Sequence, residues 1–308
     1  MIPLDLALAS IGSPAGTAVT LGTFDGVHLG HRRLLKTVYN AAEAHGLTSV
    51  AIAFRKQPRS IINPALTVTY LASLDRRLRL IKATGVGKVI PVDFDDSIRT
   101  LSARQFICKL RERASMRRLV TGPGARMGHD RAGAELLSVI CAAEGIDLDQ
   151  VSPAETGGVP VSSTGIRNAL AAGDLATACS MLGRNYTLDG KVVAGERRGR
   201  KLGFPTANIE PEAGLVVPAD GIYAAIVEFG GVRRMAATSI GVRPTFGAGA
   251  RTVEAYVLDF EGDLYGRDVS LEFASRLRGE LKFDGPEPLV AQMRRDVEET
   301  RTLLSSAI

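Results

Sequence analysis

Ala18-Val19-Thr20-Leu21 runs directly into Gly22-Thr23-Phe24-Asp25-Gly26-Val27-His28-Leu29-Gly30-His31, and from Arg32 to Ala44 the apolar residues recur at helical spacing. A short apolar run, a glycine-flanked turn and then a helix is the opening of a βαβ unit. The alternation repeats outward. Residues 49–54, 88–92 and 118–121 read as buried strands, and residues 74–83, 103–114 and 133–144 carry the periodicity of helices packed on a sheet. The expectation is an α/β domain over residues 1–182, Rossmann-like, with a parallel sheet flanked by helices and ligands received at the carboxyl ends of its strands.

Beyond Gly183 the texture changes to β-branched and aromatic runs separated by glycine, at residues 188–193, 222–229, 234–240, 252–260 and 269–273. These predict an antiparallel barrel or sandwich over residues 183–308. A closing helix is expected at residues 287–304, with Pro288 near its N-terminus and Leu289, Met293, Val297 and Leu303 on one face.

Bulk properties narrow the function classes. The chain has 308 residues, 45% of them hydrophobic, which is ample for two cores. Its net charge of +5 suits phosphate ligands and also weak nucleic-acid contact. Aromatic residues are only 5% and tryptophan is absent, which argues against a stacking platform for single strands, so no nucleic-acid partner is expected. Cys108, Cys141 and Cys179 have no metal-type spacing and read as reduced, packed thiols. No apolar run approaches the ~18 residues of a membrane helix and no basic leader precedes one, so no membrane partner and a cytoplasmic location are expected. Oligomeric state is not legible.

Two segments carry chemistry. In the first, Gly22, Thr23 and Phe24 follow a strand and precede a helix, where main-chain N–H groups and the helix dipole receive phosphate. His28 and His31 stand three apart, which puts them on one helix face, spaced to hydrogen-bond phosphoryl oxygens and, when protonated, to offset charge on a leaving group. Gly30 between them keeps the backbone approachable. Farther on, Ser162-Ser163-Thr164-Gly165-Ile166-Arg167 puts hydroxyls before a helix and an arginine in its first turn, where it opposes the dipole unless a phosphate accompanies it.

The second segment, Gly195 to Asn208, joins a glycine-punctuated basic loop containing Gly199, Arg200 and Gly203 to Phe204-Pro205-Thr206-Ala207-Asn208. Thr206 and Asn208 alternate along extended chain, so both side chains take one face and offer neutral oxygen ligands to Mg²⁺. Glu254 lies in the run Thr252-Val253-Glu254-Ala255-Tyr256-Val257-Leu258, on the face opposite Val253, Ala255 and Val257, as a carboxylate that could take a hydroxyl proton in phosphoryl transfer.

His-x-Gly-His after a first strand, joined later by Ser-Ser-Thr-x-Ile-Arg, resembles the nucleotidyltransferase superfamily. The version here resembles the prokaryotic bifunctional riboflavin kinase/FMN adenylyltransferase (FAD synthetase) family. Leu182 to Tyr186, Gly199 to Asn208, Asp220 to Tyr223, Ile240 to Phe246 and Asp259 to Gly266 resemble its riboflavin kinase module, which implies a mainly antiparallel barrel. The resemblance implies that His28 and His31 bind ATP phosphates and that Ser163, Thr164 and Arg167 hold the triphosphate. It further implies that Thr206 and Asn208 bind Mg²⁺ with ATP, that Glu254 activates the terminal hydroxyl of riboflavin, and that Arg278, Glu280, Lys282 and Phe283 lie near the flavin. Riboflavin, FMN and ATP are the implied partners.

The sequence departs from that family where Phe-x-Pro-His-Pro gives way to Phe54-Arg55-Lys56-Gln57-Pro58 and Gly-x-Asp-Phe-x-Phe-Gly to Gly122-Pro123-Gly124-Ala125-Arg126-Met127-Gly128. Ser239 replaces the usual Asn before Ile-Gly. These changes motivate an alternative, a riboflavin kinase whose N-terminal domain is silent, weakened or retargeted. A non-catalytic flavin sensor or a nucleic-acid-binding protein is a more distant alternative, opposed by the two separate phosphate-type segments.

Overall fold

The computed structural model describes residues 4–63, 65–195, 199, 202–242 and 251–306. The chain forms two compact units, Met1–Val68 with Leu74–Ser162, and Thr69–Ser73 with Ser163–Ile308.

The first unit contains α1 (Leu4–Ile11), β1 (Thr17–Gly22), a 3₁₀ turn (Asp25–Val27), α2 (Leu29–His45), β2 (Thr48–Phe54), α3 (Pro58–Ile62), α4 (Leu74–Lys82), β3 (Lys88–Val92), α5 (Asp96–Arg99), α6 (Ala103–Ala114), β4 (Met116–Thr121), α7 (Ala134–Ala143), β5 (Asp147–Gln150) and a small hairpin of β6 (Glu155–Thr156) and β7 (Val159–Pro160). Its main sheet has the order β3-β2-β1-β4-β5, with every neighbouring pair parallel. Alternate residues of one strand feed opposite faces: Val19, Val50, Ile52 and Leu119 pack with α1, α6 and α7, whereas Ala18, Ala51, Ala53 and Val120 pack with α2. α6 starts on a capping box in which Ser102 and Gln105 satisfy each other's main-chain N–H groups. Strand order reverses at β1, so the crevice above β1 and β4 is the switch point where such sheets take ligands.

The second unit opens with α8 (Ser163–Ala172) and α9 (Leu175–Leu182) and continues through β8 (Tyr186–Val193), β9 (Thr206–Pro211), β10 (Gly221–Phe229), β11 (Val232–Val242), β12 (Arg251–Val257), β13 (Asp268–Arg278) and α10 (Pro286–Leu304). The six strands close into an antiparallel barrel, β10-β11-β12-β9-β8-β13, so no strand edge is left open. Tyr186, Tyr223 and Phe273 fill it, with Phe273 stacked near Tyr186 and edge-on to Tyr223. Residues 69–73 are strapped to this unit: the Tyr70 N–H donates to Gly214 O at 2.7 Å, the Val216 N–H to Tyr70 O at 2.9 Å, and the Ser73 hydroxyl to Asp189 at 3.0 Å.

The closing helix packs the face expected from its sequence, with Leu289, Met293 and Val297 half-buried, and one expected residue departs from it. Leu303 is exposed, and Asp296, Thr300 and Leu304 are its buried positions. The buried Asp296 carboxylate is satisfied on that face, where Arg278 forks onto it at 2.9 and 2.6 Å and Gln292 donates at 2.8 Å.

Candidate active sites

At the carboxyl end of β1 the chain makes an unusual bend. Phe24 (φ 51°), Gly26 (φ 76°) and Val27 (φ 42°) all occupy the left-handed region. For a β-branched valine that is strained backbone, of the kind that costs about 1–3 kcal/mol and clusters at functional sites. Phe24 and Val27 are fully buried, so packing holds the bend in place.

The bend delivers His28 to the N-cap of α2, where its Nδ1 accepts from the His31 N–H at 3.4 Å. That bond puts the ring proton of neutral His28 on Nε2. The two imidazoles stack with centroids 3.7 Å apart and an 18° interplanar angle, and Phe24 meets His31 edge-on at 5.5 Å. Gly30 permits this arrangement, since a Cβ there would lie 3.2 Å from the His28 ring. Nδ1 of His31 is buried without a hydrogen-bond partner. Burial first, and then the neighbouring His28, hold the His31 pKa well below its ordinary 6.5. His31 is therefore a neutral imidazole at physiological pH.

That neutrality makes a test. Unfolded, His31 regains its ordinary pKa and binds a proton that the folded state refuses, so its contribution to stability is complete above pH 6.5 and is lost as pH falls toward the lowered folded value. Denaturant titrations of wild type and His31→Asn should show the stability difference shifting against the wild type between pH 7.5 and 5. A pH-independent difference would place the proton elsewhere.

Sequence reasoning missed Arg77. This arginine of α4 is 2% exposed, and its guanidinium spans three main-chain carbonyls at the ends of two strands: Thr23 O at 2.7 Å, Phe54 O at 3.0 Å and Arg55 O at 2.7 Å. Burying a cation costs several kcal/mol, which charge-assisted hydrogen bonds at about 1.5–3 kcal/mol each offset. The available signal was helical phase, because Arg77 falls on the same face as Ile81, the other buried residue of α4.

An opening of about 260 Å³ in the first unit lies at the ends of β4 and β5. Gly122, Pro123, Gly124 and Ala125 line it with Leu137, Val151 and Ser152, and no aromatic side chain takes part. Met127 does not line it; it is buried in the core and bridges Ala132. Gln57 is likewise buried, at the N-cap of α3.

Ser163 starts α8, so Arg167 stands in its second turn, one turn later than the sequence reading, with Nη2 3.3 Å from the Thr164 hydroxyl. The dipole argument for Arg167 is correspondingly weaker.

In the barrel, β12 runs between β11 and β9 with Glu254 opposite Ser239 on one side and Asn208 on the other. Val253, Ala255 and Val257 point inward and are buried, which leaves Glu254, Thr206 and Asn208 half-buried on the opposite face. The Thr206 hydroxyl donates to the Glu254 carboxylate at 3.2 Å. Gly195 lies against Asn208, where any side chain at 195 would overlap the amide. Gly199 is close to Phe204 and Thr206, Phe204 packs edge-on to Tyr256, and Gly203 and Pro205 are exposed. Arg200, Lys201 and residues 243–246 lie outside the described residues.

The residues expected near a flavin divide. The Arg278 guanidinium is occupied by Asp296. Glu280 and Lys282 are exposed, Phe283 is half-buried, and the Glu280 carboxyl lies where a side chain on Gly241 would be, next to the β11–β12 pair. No cluster of three or more His, Cys, Asp or Glu fit to cage a metal exists among the described residues. Two neutral oxygens beside one carboxylate fit a Mg²⁺ that arrives with phosphates and keeps several waters.

Residues 182–304 match the family described as riboflavin kinase, and residues 11–165 the family described as FAD synthetase. The chain is 35% identical over 291 residues to a bifunctional riboflavin kinase/FMN adenylyltransferase of Pseudomonas fluorescens, covering 94% of this chain and 93% of that one. To the protein of the same description from Escherichia coli K12 it is 35% identical over 284 residues, covering 91% and 90%. A crystal structure from Streptococcus pneumoniae, described as a macrolide-efflux protein, superposes with a TM-score of 0.87 at 32% identity over 96% of both chains. Among the described residues no helix is long and apolar enough to cross a membrane.

Proposed function

Because this chain belongs to the bifunctional riboflavin kinase/FMN adenylyltransferase family, we propose that it makes flavin cofactors in two ATP-consuming steps. Residues 183–308 transfer the γ-phosphoryl of ATP to riboflavin, giving FMN and ADP. Residues 1–182 transfer the adenylyl group of a second ATP to FMN, giving FAD and pyrophosphate. The observation that carries the reading is the Thr206–Glu254 hydrogen bond at 3.2 Å, which joins the proposed phosphate side and the proposed base across β9 and β12.

In the kinase step Glu254 takes the proton of the terminal ribityl hydroxyl as its oxygen attacks the γ-phosphorus and the bond to ADP breaks. Thr206 and Asn208 orient the polyphosphate together with Gly199, Arg200, Gly203 and Pro205. Mg²⁺, held with ATP at Thr206 and Asn208, would neutralise phosphate charge. Glu280, Lys282 and Phe283 take the flavin side, and the commitment of Arg278 to Asp296 makes it a brace for that loop.

In the adenylylation step an FMN phosphate oxygen attacks the α-phosphorus and pyrophosphate leaves. His28 and His31 meet the phosphates at the main-chain turn of Gly22, Thr23, Phe24 and Gly30, and Ser163, Thr164 and Arg167 hold the triphosphate. A neutral His31 becomes cationic as phosphate charge approaches, which places its proton where charge develops on the leaving group.

One observation favours a second reading. The cleft at Gly122–Ala125 offers no aromatic face to an isoalloxazine, in keeping with an N-terminal domain that is weak toward FMN or acts on another phosphate acceptor. Chromatography of protein incubated with riboflavin, excess ATP and Mg²⁺ decides between them: FMN followed by FAD supports two activities, whereas FMN that accumulates alone supports the second.

A further inference from the structure

We propose that Arg77 is a positioning residue for adenylyl transfer, a role that rests on the adenylylation reading above. Its guanidinium bonds the Thr23 carbonyl at 2.7 Å, on the residue directly before the first left-handed residue of the phosphate-type turn. The same fork holds Phe54 O and Arg55 O, so the turn leaving β1 is pinned to the end of β2.

The turn would not keep this shape by local preference. Phe24 and Val27 take backbone angles that side-chain-bearing residues avoid, and the left-handed bend sets where His28 enters α2 and where its ring meets His31. An anchor at Thr23 therefore fixes the origin from which both imidazoles are aimed. Arg77 supplies it because guanidinium presents several donors in one rigid plane, enough for three carbonyls at once. Lysine has the charge but not the fork. Phosphoryl-type chemistry depends on placement, and an error near 1 Å lowers rate on the order of 10²-fold.

The experiment uses the full chain with Arg77→Lys and Arg77→Met, and three readouts. FAD formation from FMN should lose kcat on the order of 10²-fold in Arg77→Lys, with KM for ATP within about threefold. FMN formation from riboflavin should stay at wild-type rate as the internal control. Imidazole NMR resolves the four histidines; in the variants His31 should lose its stacked environment and titrate closer to 6.5, while His45 and His129 stay unchanged.

The NMR readout separates this inference from the reading beneath it. A wild type that makes no FAD overturns the adenylylation reading, and an altered His31 in the variants then still shows Arg77 setting the turn. Unchanged His31 signals, or FAD formation within about twofold of wild type, would overturn the positioning role. Loss of cooperative unfolding of the first unit in both variants would also overturn it, by making Arg77 a folding residue only.

Discussion

Glu254→Gln should lower riboflavin phosphorylation about 10³-fold while nucleotide binding stays near wild type. Removing a positioned general base forfeits roughly 10²–10⁴ in rate. The amide is nearly isosteric and its oxygen still accepts from the Thr206 hydroxyl, so the 3.2 Å bond and the in-register row of Ser239, Glu254 and Asn208 should persist. What disappears is the anionic acceptor. Steady-state kinetics with separate titration of an ATP analogue checks this, because an effect confined to KM would make Glu254 a binding residue. Near-normal turnover would remove it from the base role.

His28→Ala should abolish most FAD formation, by 10²–10³-fold if the ring acts like a preorganised donor on developing phosphate charge, and leave FMN formation intact. Alanine also removes the N-cap of α2, a change worth about 1 kcal/mol. His28→Asn isolates the chemistry, since asparagine restores a capping oxygen for the His31 N–H without restoring an imidazole. If Asn recovers FAD formation, His28 is a cap and not a phosphate ligand. If both variants lose both activities, the two modules are not independent.

Much of the framework was readable because period and turn chemistry agree. The first four strands and the longer helices α2, α4, α6 and α7 fall within a few residues of their sequence expectations, as apolar runs bounded by glycine or capping residues, whereas the short α3 and α5 carried no such signal. β5 was not readable: Asp147-Leu148-Asp149-Gln150 is an edge strand whose aspartates pair with Arg118, and polar edges lack the apolar signature. β9 read as extended chain only, because Pro205 precedes it and its partner Glu254 lies far along the chain.

The sites divide along the same line. Alternation in β12 correctly separated Glu254 from Val253 and Ala255, and alternation put Thr206 and Asn208 on one face, which the pairing of β9 with β12 makes the Glu254 face. Spacing alone suggested that His28 and His31 share a helix face, whereas His28 caps the helix and stacks on His31 through a bend of left-handed residues. Arg77 sits in Leu74-Asp75-Arg76-Arg77-Leu78-Arg79, where a basic helix reads as solvated. Only the tertiary structure brings three carbonyls to it.

The most direct measurement mixes Glu254→Gln and His28→Ala in one tube with riboflavin, ATP and Mg²⁺, and follows FMN and FAD against each variant alone. Two independent sites on one chain require FAD in the mixture: the His28 variant supplies FMN, which the Glu254 variant adenylylates, although neither alone carries riboflavin to FAD at an appreciable rate. FMN without FAD in the mixture, from a wild type that makes both, would contradict the assignment of the two steps to these two sites.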